Sequence, residues 1–252
     1  MTVVVITGAS SGLGAALAKQ YANNNTRLYL CGRHTQRLEA VAQTCRGKGA
    51  DVKTALFDIS DLGHLEKWAV EIEKEGVPDL LIANAGIFHG HGSNTMESPD
   101  EIKQQLDTNL LGTINTVNAF IPLFKKHRKG HIVLISSLAA IFPLADAPSY
   151  SASKAGILAY AKAMREYLLD SHVKLSVVMP GHIDTPQTDK HKGRLSGIIS
   201  AETAAQKIVA QIEKGRFVIA FPKTGYWLIR LSALLPWRLV ARLNRGQRFH
   251  VE

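Results

Sequence analysis

Tyr150 and Lys154 stand four residues apart in a segment, Ser149 to Leu169, whose apolar spacing is helical, so their side chains leave one face. A phenol with an ordinary pKa of about 10 is a poor proton-transfer group at neutral pH. An ammonium beside it favours the phenolate, and each pKa unit removed is worth about 1.4 kcal/mol. Such a pair can exchange a proton with a substrate oxygen. Ser137, thirteen residues before Tyr150, follows the apolar run Ile132 to Ile135, and its hydroxyl can hold a carbonyl oxygen. Ser136 is the competing choice for that role.

A second constellation lies near the start of the chain, where Val3 to Ile6 runs into Thr7-Gly8-Ala9-Ser10-Ser11-Gly12-Leu13-Gly14 ahead of a helical segment. Glycines let the backbone turn tightly and approach a pyrophosphate at the positive end of a helix. Gly8, Ser10, Ser11, Gly12, Leu13 and Gly14 are therefore candidates for dinucleotide binding. Their spacing is G-x-x-x-G-x-G rather than G-x-G-x-x-G. Gly8 to Gly12 also satisfies G-x-S-x-G, the nucleophile elbow of hydrolases, but an elbow normally follows several strands and only seven residues precede Gly8.

The elements that must position these groups are legible as short apolar runs at Val3 to Ile6, Arg27 to Cys31, Val52 to Leu56, Leu80 to Ala83, Ile132 to Ser136, Lys174 to Met179 and Phe217 to Ala220. Helix-period segments separate them, the longest being Glu101 to Phe124 and Ser149 to Leu169. Runs that are apolar throughout are covered on both faces, which predicts an α/β protein built on a doubly wound parallel sheet of seven strands in a single domain. A closed eight-stranded barrel needs one more βα unit than the chain offers. Open sheets of this kind hold ligands at the carboxyl ends of their strands, where Ser137 and the glycine turn both fall.

The second strand ends Leu30-Cys31-Gly32-Arg33-His34, without a carboxylate. An acid there would bond a ribose 2′-hydroxyl, whereas Arg33 offers a planar fork of donors suited to a 2′-phosphate, so NADP(H) is expected over NAD(H). Asp58, after the third strand, either accepts a hydrogen bond from an adenine amino group or, like Ser60, caps the next helix.

In this order the residues resemble the short-chain dehydrogenase/reductase family. Thr7 to Gly14 looks like its cofactor loop, Asn84-Ala85-Gly86 like its post-strand motif, and Tyr150-Ser151-Ala152-Ser153-Lys154 like its Y-x-x-x-K. Asn109, Ser137 and Pro180-Gly181 through Thr185 fall in step with them. The resemblance implies a Rossmann-like fold and hydride transfer between NADP(H) and a carbonyl or secondary alcohol, with Tyr150 as acid and base. It further implies that Asn109 holds a water joining Lys154 to solvent and that Lys154 binds ribose hydroxyls. The backbone near Ile183 would meet the nicotinamide amide, and Thr185 would reach the phosphates. A homodimer or homotetramer through the helices carrying Asn109 and Tyr150 is likewise implied.

The 252 residues carry 30 Lys and Arg against 21 Asp and Glu, a formal +9. Arg216 to Glu252 contains seven basic residues and one acid, and so holds +6 of that excess. Residues 1–222 are expected to form the dinucleotide-binding catalytic domain and 223–252 an amphipathic tail. Arg238, Arg242 and Arg245, at i, i+4 and i+7 beside Trp237, Leu239 and Leu243, predict a basic stripe on an apolar helix. That tail is expected either to lie in a membrane interface or to pack on its own subunit or a dimer partner over the substrate pocket. Arg230, Pro236 and Arg238 interrupt it too soon for a membrane span.

No nucleic-acid partner is expected, since neither a recognition helix nor an aromatic strand motif accompanies the charge. Cys31 and Cys45 lack zinc or redox spacing, and the N-terminus lacks a signal-peptide pattern, which predicts a cytoplasmic protein, membrane-associated at the inner face if the tail binds lipid. His89-Gly90-His91 has no third ligand at fixed spacing, so no metal is expected, and His182 reads as a packed loop histidine or as a group that touches substrate. Pro186 to Ser200 reads as a substrate lid or an ordinary surface loop. Ile87, Phe88, Leu138 and Phe142 point to a hydrophobic, lipid-like substrate. The competing function is an NADP-sensing protein, bound to a membrane or partner, without turnover.

Overall fold

The computed structural model describes residues 1–91, 95–186, 188, 197–232, 234–236 and 238–240. β1 (Thr2–Thr7), α1 (Gly12–Tyr21), β2 (Thr26–Gly32), α2 (Thr35–Arg46), β3 (Asp51–Leu56), α3 (Leu62–Glu75) and β4 (Leu80–Ala83) form the first half. Then come α4 (Pro99–Gln105), α5 (Gly112–His127), β5 (His131–Ile135), α6 (Pro148–Tyr167), β6 (Lys174–Pro180), β7 (Ile183–Asp184), β8 (Ile199–Ser200), α7 (Ala201–Ile212), β9 (Val218–Phe221) and α8 (Lys223–Ser232).

Seven strands pair in parallel in the order β3-β2-β1-β4-β5-β6-β9. The chain winds outward from β1 to β3, crosses back to β4 and winds outward the other way, so the sheet is open and its switch point lies between β1 and β4. Successive strand residues feed opposite layers, which is why the strands read as continuous apolar runs. Val4, Ile6, Leu28 and Leu30 pack with α1, α2 and α7, while Val5, Tyr29, Leu81 and Leu134 pack with α3, α5 and α6.

Three features depart from the sequence expectations. The single helix expected over Glu101 to Phe124 is divided into α4, a π-helical turn at Leu106–Leu111, and α5. The division lies where Gly112 meets α3's approach segment, since a Cβ on Gly112 would stand 2.7 Å from Ile59 Cδ1. Neither Asp58 nor Ser60 caps α3. That role falls to Asp61, whose carboxylate accepts the His64 N–H at 3.1 Å. Beyond β6, β7 and β8 form a small parallel pair of their own. The expected lid falls largely on residues 187 and 189–196, and Trp237, Arg242 and Arg245 of the expected basic stripe are also outside the described residues. The helix actually described in the tail starts earlier, at Lys223. Among the described residues no helix is long and apolar enough to cross a membrane.

Candidate active site

The β1–α1 turn sits at the switch point and is pressed onto the end of β4. Gly8 and Gly12 adopt φ of +65° and +52°, and a Cβ on Gly8 would lie 2.6 Å from Ala85 Cα. At Gly14 it would lie 2.2 Å from the Gly8 carbonyl oxygen. Asn84 Nδ2 donates to the carbonyls of Thr7 and Gly8 at 3.0 and 3.2 Å. Thr7 Oγ1 accepts the N–H groups of Asn84 and Ala85 at 3.1 and 3.2 Å. Asn84 and Ala85 thus hold the glycine turn itself, and Thr7, which the sequence did not single out, is the hinge of that clamp. Ser11 provides no side-chain cap for α1 and the first turn carries no acid, which leaves the leading N–H groups available to an anion. Thr185 closes over the turn, with its Cγ2 3.2 Å from where a Gly12 Cβ would be. A cradle of uncapped amides and missing Cβ atoms fits a dinucleotide pyrophosphate.

Ser10, Ser11, Gly12, Arg37, Asp184 and Glu202 line an open cleft of about 420 Å³ beside this turn. Arg37 was missed in the sequence; its signal was the spacing from Arg33 across the start of α2. Arg33 itself, half exposed, donates through Nη1 to Asp58 Oδ2 at 2.9 Å. The other Asp58 oxygen takes the backbone and hydroxyl of Ser60. Burial opposes ionisation of Asp58, but the bonds from Ser60 and Arg33 prevail and hold its carboxyl below the usual range.

Between β5 and α6 the second constellation assembles. Ser137 follows β5 in extended conformation, accepts the Ala139 N–H at 3.1 Å, and bears on the Tyr150 phenol, opposing the rise of its pKa. The neighbouring Ser136 hydroxyl instead donates to the Lys154 carbonyl at 2.8 Å, tying β5 to α6. Lys154 is buried, and its Nζ donates to the Ile135 carbonyl at 3.0 Å, 5.6 Å from the Tyr150 ring centre. Burial lowers its pKa to about 8. Burial raises the Tyr150 phenol, and the Ser137 hydroxyl opposes that rise.

Gly86 separates Lys154 from Asn109: a Cβ there would be 3.5 Å from Lys154 Nζ and 3.2 Å from Asn109 Oδ1. Asn109, on the π-helical turn, accepts the Ile87 N–H at 2.7 Å and donates to the Ile87 carbonyl at 2.9 Å and Ser153 Oγ at 3.3 Å. A turn with one extra residue is a frequent device at functional sites, and here it turns Asn109 inward. Phe88 meets the Tyr150 ring edge to face at 4.9 Å. Gln105 and Glu97, unremarked in the sequence, anchor the start of α6 through Ser149 Oγ at 2.6 and 2.7 Å. On the other side, Gly181 N–H donates to the Phe221 carbonyl at 2.8 Å, next to Pro180, and Ile183 is buried in the first apolar layer. His89 and His91 both face Glu101, at 3.8 and 3.1 Å.

Residues 2–194 match the short chain dehydrogenase family. An uncharacterized oxidoreductase of Mycobacterium tuberculosis is 32% identical over 249 residues, covering 95% of this chain and 96% of the relative. A 3-dehydrosphinganine reductase of Arabidopsis thaliana is 32% identical over 240 residues, covering 89% and 71%. A short chain dehydrogenase from Burkholderia cenocepacia, solved in complex with NADP, superposes with a TM-score of 0.82 at 26% identity, covering 96% of this chain and 97% of the other. The fold and its glycine cradle are those of a nicotinamide-dependent α/β oxidoreductase. Within that class the chain belongs to the short-chain dehydrogenase family, and the nucleophile-elbow interpretation of Gly8 to Gly12 is set aside.

Proposed function

We propose that residues 1–222 form the catalytic domain of an NADP-dependent oxidoreductase that moves a hydride between the nicotinamide and the carbon of an apolar, lipid-like carbonyl or secondary alcohol. The observation that carries this is the line of polar groups from Ser137 through Tyr150 to Lys154 and on past Gly86 to Asn109, at the carboxyl edge of the sheet. The bound cofactor supplies the hydride. In reduction, Ser137 holds the substrate oxygen and Tyr150 gives it a proton; burial keeps the phenol protonated and so suits that direction. Lys154, its pKa brought to about 8, passes a proton toward Tyr150 and binds the nicotinamide ribose. Asn109, locked on Ile87, holds the water that connects Lys154 to solvent.

Arg33, oriented by Asp58, and Arg37 favour a 2′-phosphate over a bare hydroxyl. Gly8 to Gly14, with Thr185, take the pyrophosphate, and Ile183 backbone takes the nicotinamide amide. Ile87, Phe88, Leu138 and Phe142, together with the name of the sphinganine-related relative, support a lipid-like carbonyl. Assembly as a homodimer or homotetramer through α5 and α6 belongs to the same proposal and is read by light scattering on a sizing column.

Titration of NADPH and NADH by fluorescence, followed by turnover of long-chain ketones and aldehydes, tests the assignment. NADPH should bind about tenfold or more tighter than NADH. Tyr150→Phe should lower turnover roughly 10²- to 10⁴-fold while keeping NADPH affinity. Turnover by the Tyr150→Phe protein at the wild-type rate would falsify the role of Tyr150.

A further inference from the structure

Helix α8 turns Tyr226 into the second apolar layer and leaves Trp227, Leu228 and Leu231 on its opposite side, the leucine at 228 being 67% exposed. Leu234, Leu235 and Leu239, which follow the end of α8 at Ser232, are exposed as well, so apolar side chains facing solvent continue past the helix. A helix whose core-facing side is already satisfied has no use for such a stripe within its own subunit, and contiguous exposed apolar surface marks an interaction site.

Charge says which partner fits. Lys223, Arg230 and Arg238 border the stripe, and among the described residues none of the three sits in an ion pair. Arg230 donates to the Tyr226 hydroxyl at 3.0 Å and lies over the Tyr226 ring. Seven basic residues against one acid from Arg216 to Glu252 make this the most cationic part of the chain. A second copy docked by two-fold symmetry would bring the same cationic patch against itself, and the Arg-rich end of this chain folded back on α8 would do likewise. An anionic lipid surface is the partner that satisfies both the apolar stripe and the bordering cations. We propose that α8 docks this protein peripherally on anionic bilayers, with Trp227, Leu228 and Leu231 entering the acyl boundary.

The segment leading into α8 lies near the candidate site: Pro222 is 3.2 Å from the Cβ position of Gly181, and Leu138 lies 3.6 Å from that position. The docking inference stands apart from hydride transfer, because its readouts need no turnover.

The full chain is to be sedimented with vesicles of phosphatidylcholine plus phosphatidylglycerol and with phosphatidylcholine alone, with tryptophan fluorescence quenched by brominated lipid as the depth readout. Expected are binding to the anionic vesicles, loss of that binding at high salt, and quenching of the exposed tryptophan signal. Trp227→Ser with Leu231→Ser, and separately Lys223→Glu with Arg238→Glu, should each weaken partitioning roughly tenfold or more. NADPH affinity measured without vesicles should be unchanged in both. Absence of vesicle binding by the wild type overturns the inference. So does a wild-type dimer that the Trp227→Ser, Leu231→Ser protein dissociates while vesicles bind neither, since the stripe would then serve a second copy. Loss of NADPH binding or turnover with vesicle binding intact counts against the proposed reaction and leaves the docking face standing.

Discussion

Helices α1 and α8 are each ten residues long and each begins at the carboxyl edge of the sheet, yet they treat their apolar residues in opposite ways. α1 buries Leu13, Ala15, Ala16, Leu17 and Ala18 against the sheet and α7. α8 buries Tyr226 and exposes Trp227, Leu228 and Leu231. The small residues of α1 allow it to lie close to the sheet, and Gly12 and Gly14 bring its first turn against Gly8 and Thr185. Every apolar side chain there is accounted for by the packing of one subunit. The contrast separates residues that build the cofactor cradle from residues that the fold carries for an external surface, and substitutions can set the two apart.

The largest effect is expected in the cradle. Gly14→Ala places a Cβ at 2.2 Å from a backbone oxygen, which no rotamer can relieve, so the β1–α1 turn must open. Denaturant melts should show a loss of about 3 kcal/mol, and NADPH affinity should fall about a hundredfold. Wild-type affinity in that variant would show that the turn is not a fixed cradle. Arg33→Ala comes next. It removes the charged group proposed to meet a 2′-phosphate, so NADPH should weaken roughly tenfold to a hundredfold with NADH nearly unaffected. Equal losses for the two cofactors would place Arg33 outside phosphate recognition and leave only its bond to Asp58.

Ser137→Ala probes the proton-transfer end of the same frame. The Ser137 hydroxyl is what opposes the burial-driven rise of the Tyr150 pKa, so its removal should raise that pKa further. Under the proposed reaction alcohol oxidation needs the phenolate, so its rate should rise as pH passes upward through the Tyr150 pKa. The rising limb should therefore move to higher pH. An unmoved limb would assign the titration to another group.

Much of this frame is legible in the sequence because it depends on local rules. Val4, Val5 and Ile6 are apolar in succession because both faces of β1 are covered, and Tyr150 and Lys154 share a face because helix geometry fixes four-residue neighbours. What was not legible depends on register between distant strands. Asn84 grips Thr7 and Gly8 because β4 pairs with β1 as Ile6 opposite Ile82, and Arg33 meets Asp58 because Gly32 pairs with Leu56. The π-helical turn that presents Asn109 lies where Gly112 packs close to Ile59, a contact between distant segments that leaves no mark on a 3.6-residue period. In α8 the apolar residues run nearly all round the helix, so periodicity did not say which side the core would take.

The smallest effect distinguishes the two helices most cleanly. Replacing a buried leucine by a small residue commonly costs about 2 to 5 kcal/mol, since transfer energy and a cavity are both lost. Leu228 makes no such contribution if the fold leaves it in water, so Leu228→Ser should change the unfolding free energy by no more than about 0.5 kcal/mol and leave the denaturant slope unaltered. Serine is a slightly weaker helix former than leucine, which sets the sign of the small change as destabilising. The measurement is a urea melt of the isolated protein, without lipid. A loss above about 2 kcal/mol would mean that Leu228 is buried in solution by another part of the molecule or by a second copy, and the opposition between α1 and α8 would collapse. A near-zero change, with NADPH affinity intact, leaves Leu228 as a residue that costs the fold nothing to expose and that is free to meet a surface outside it.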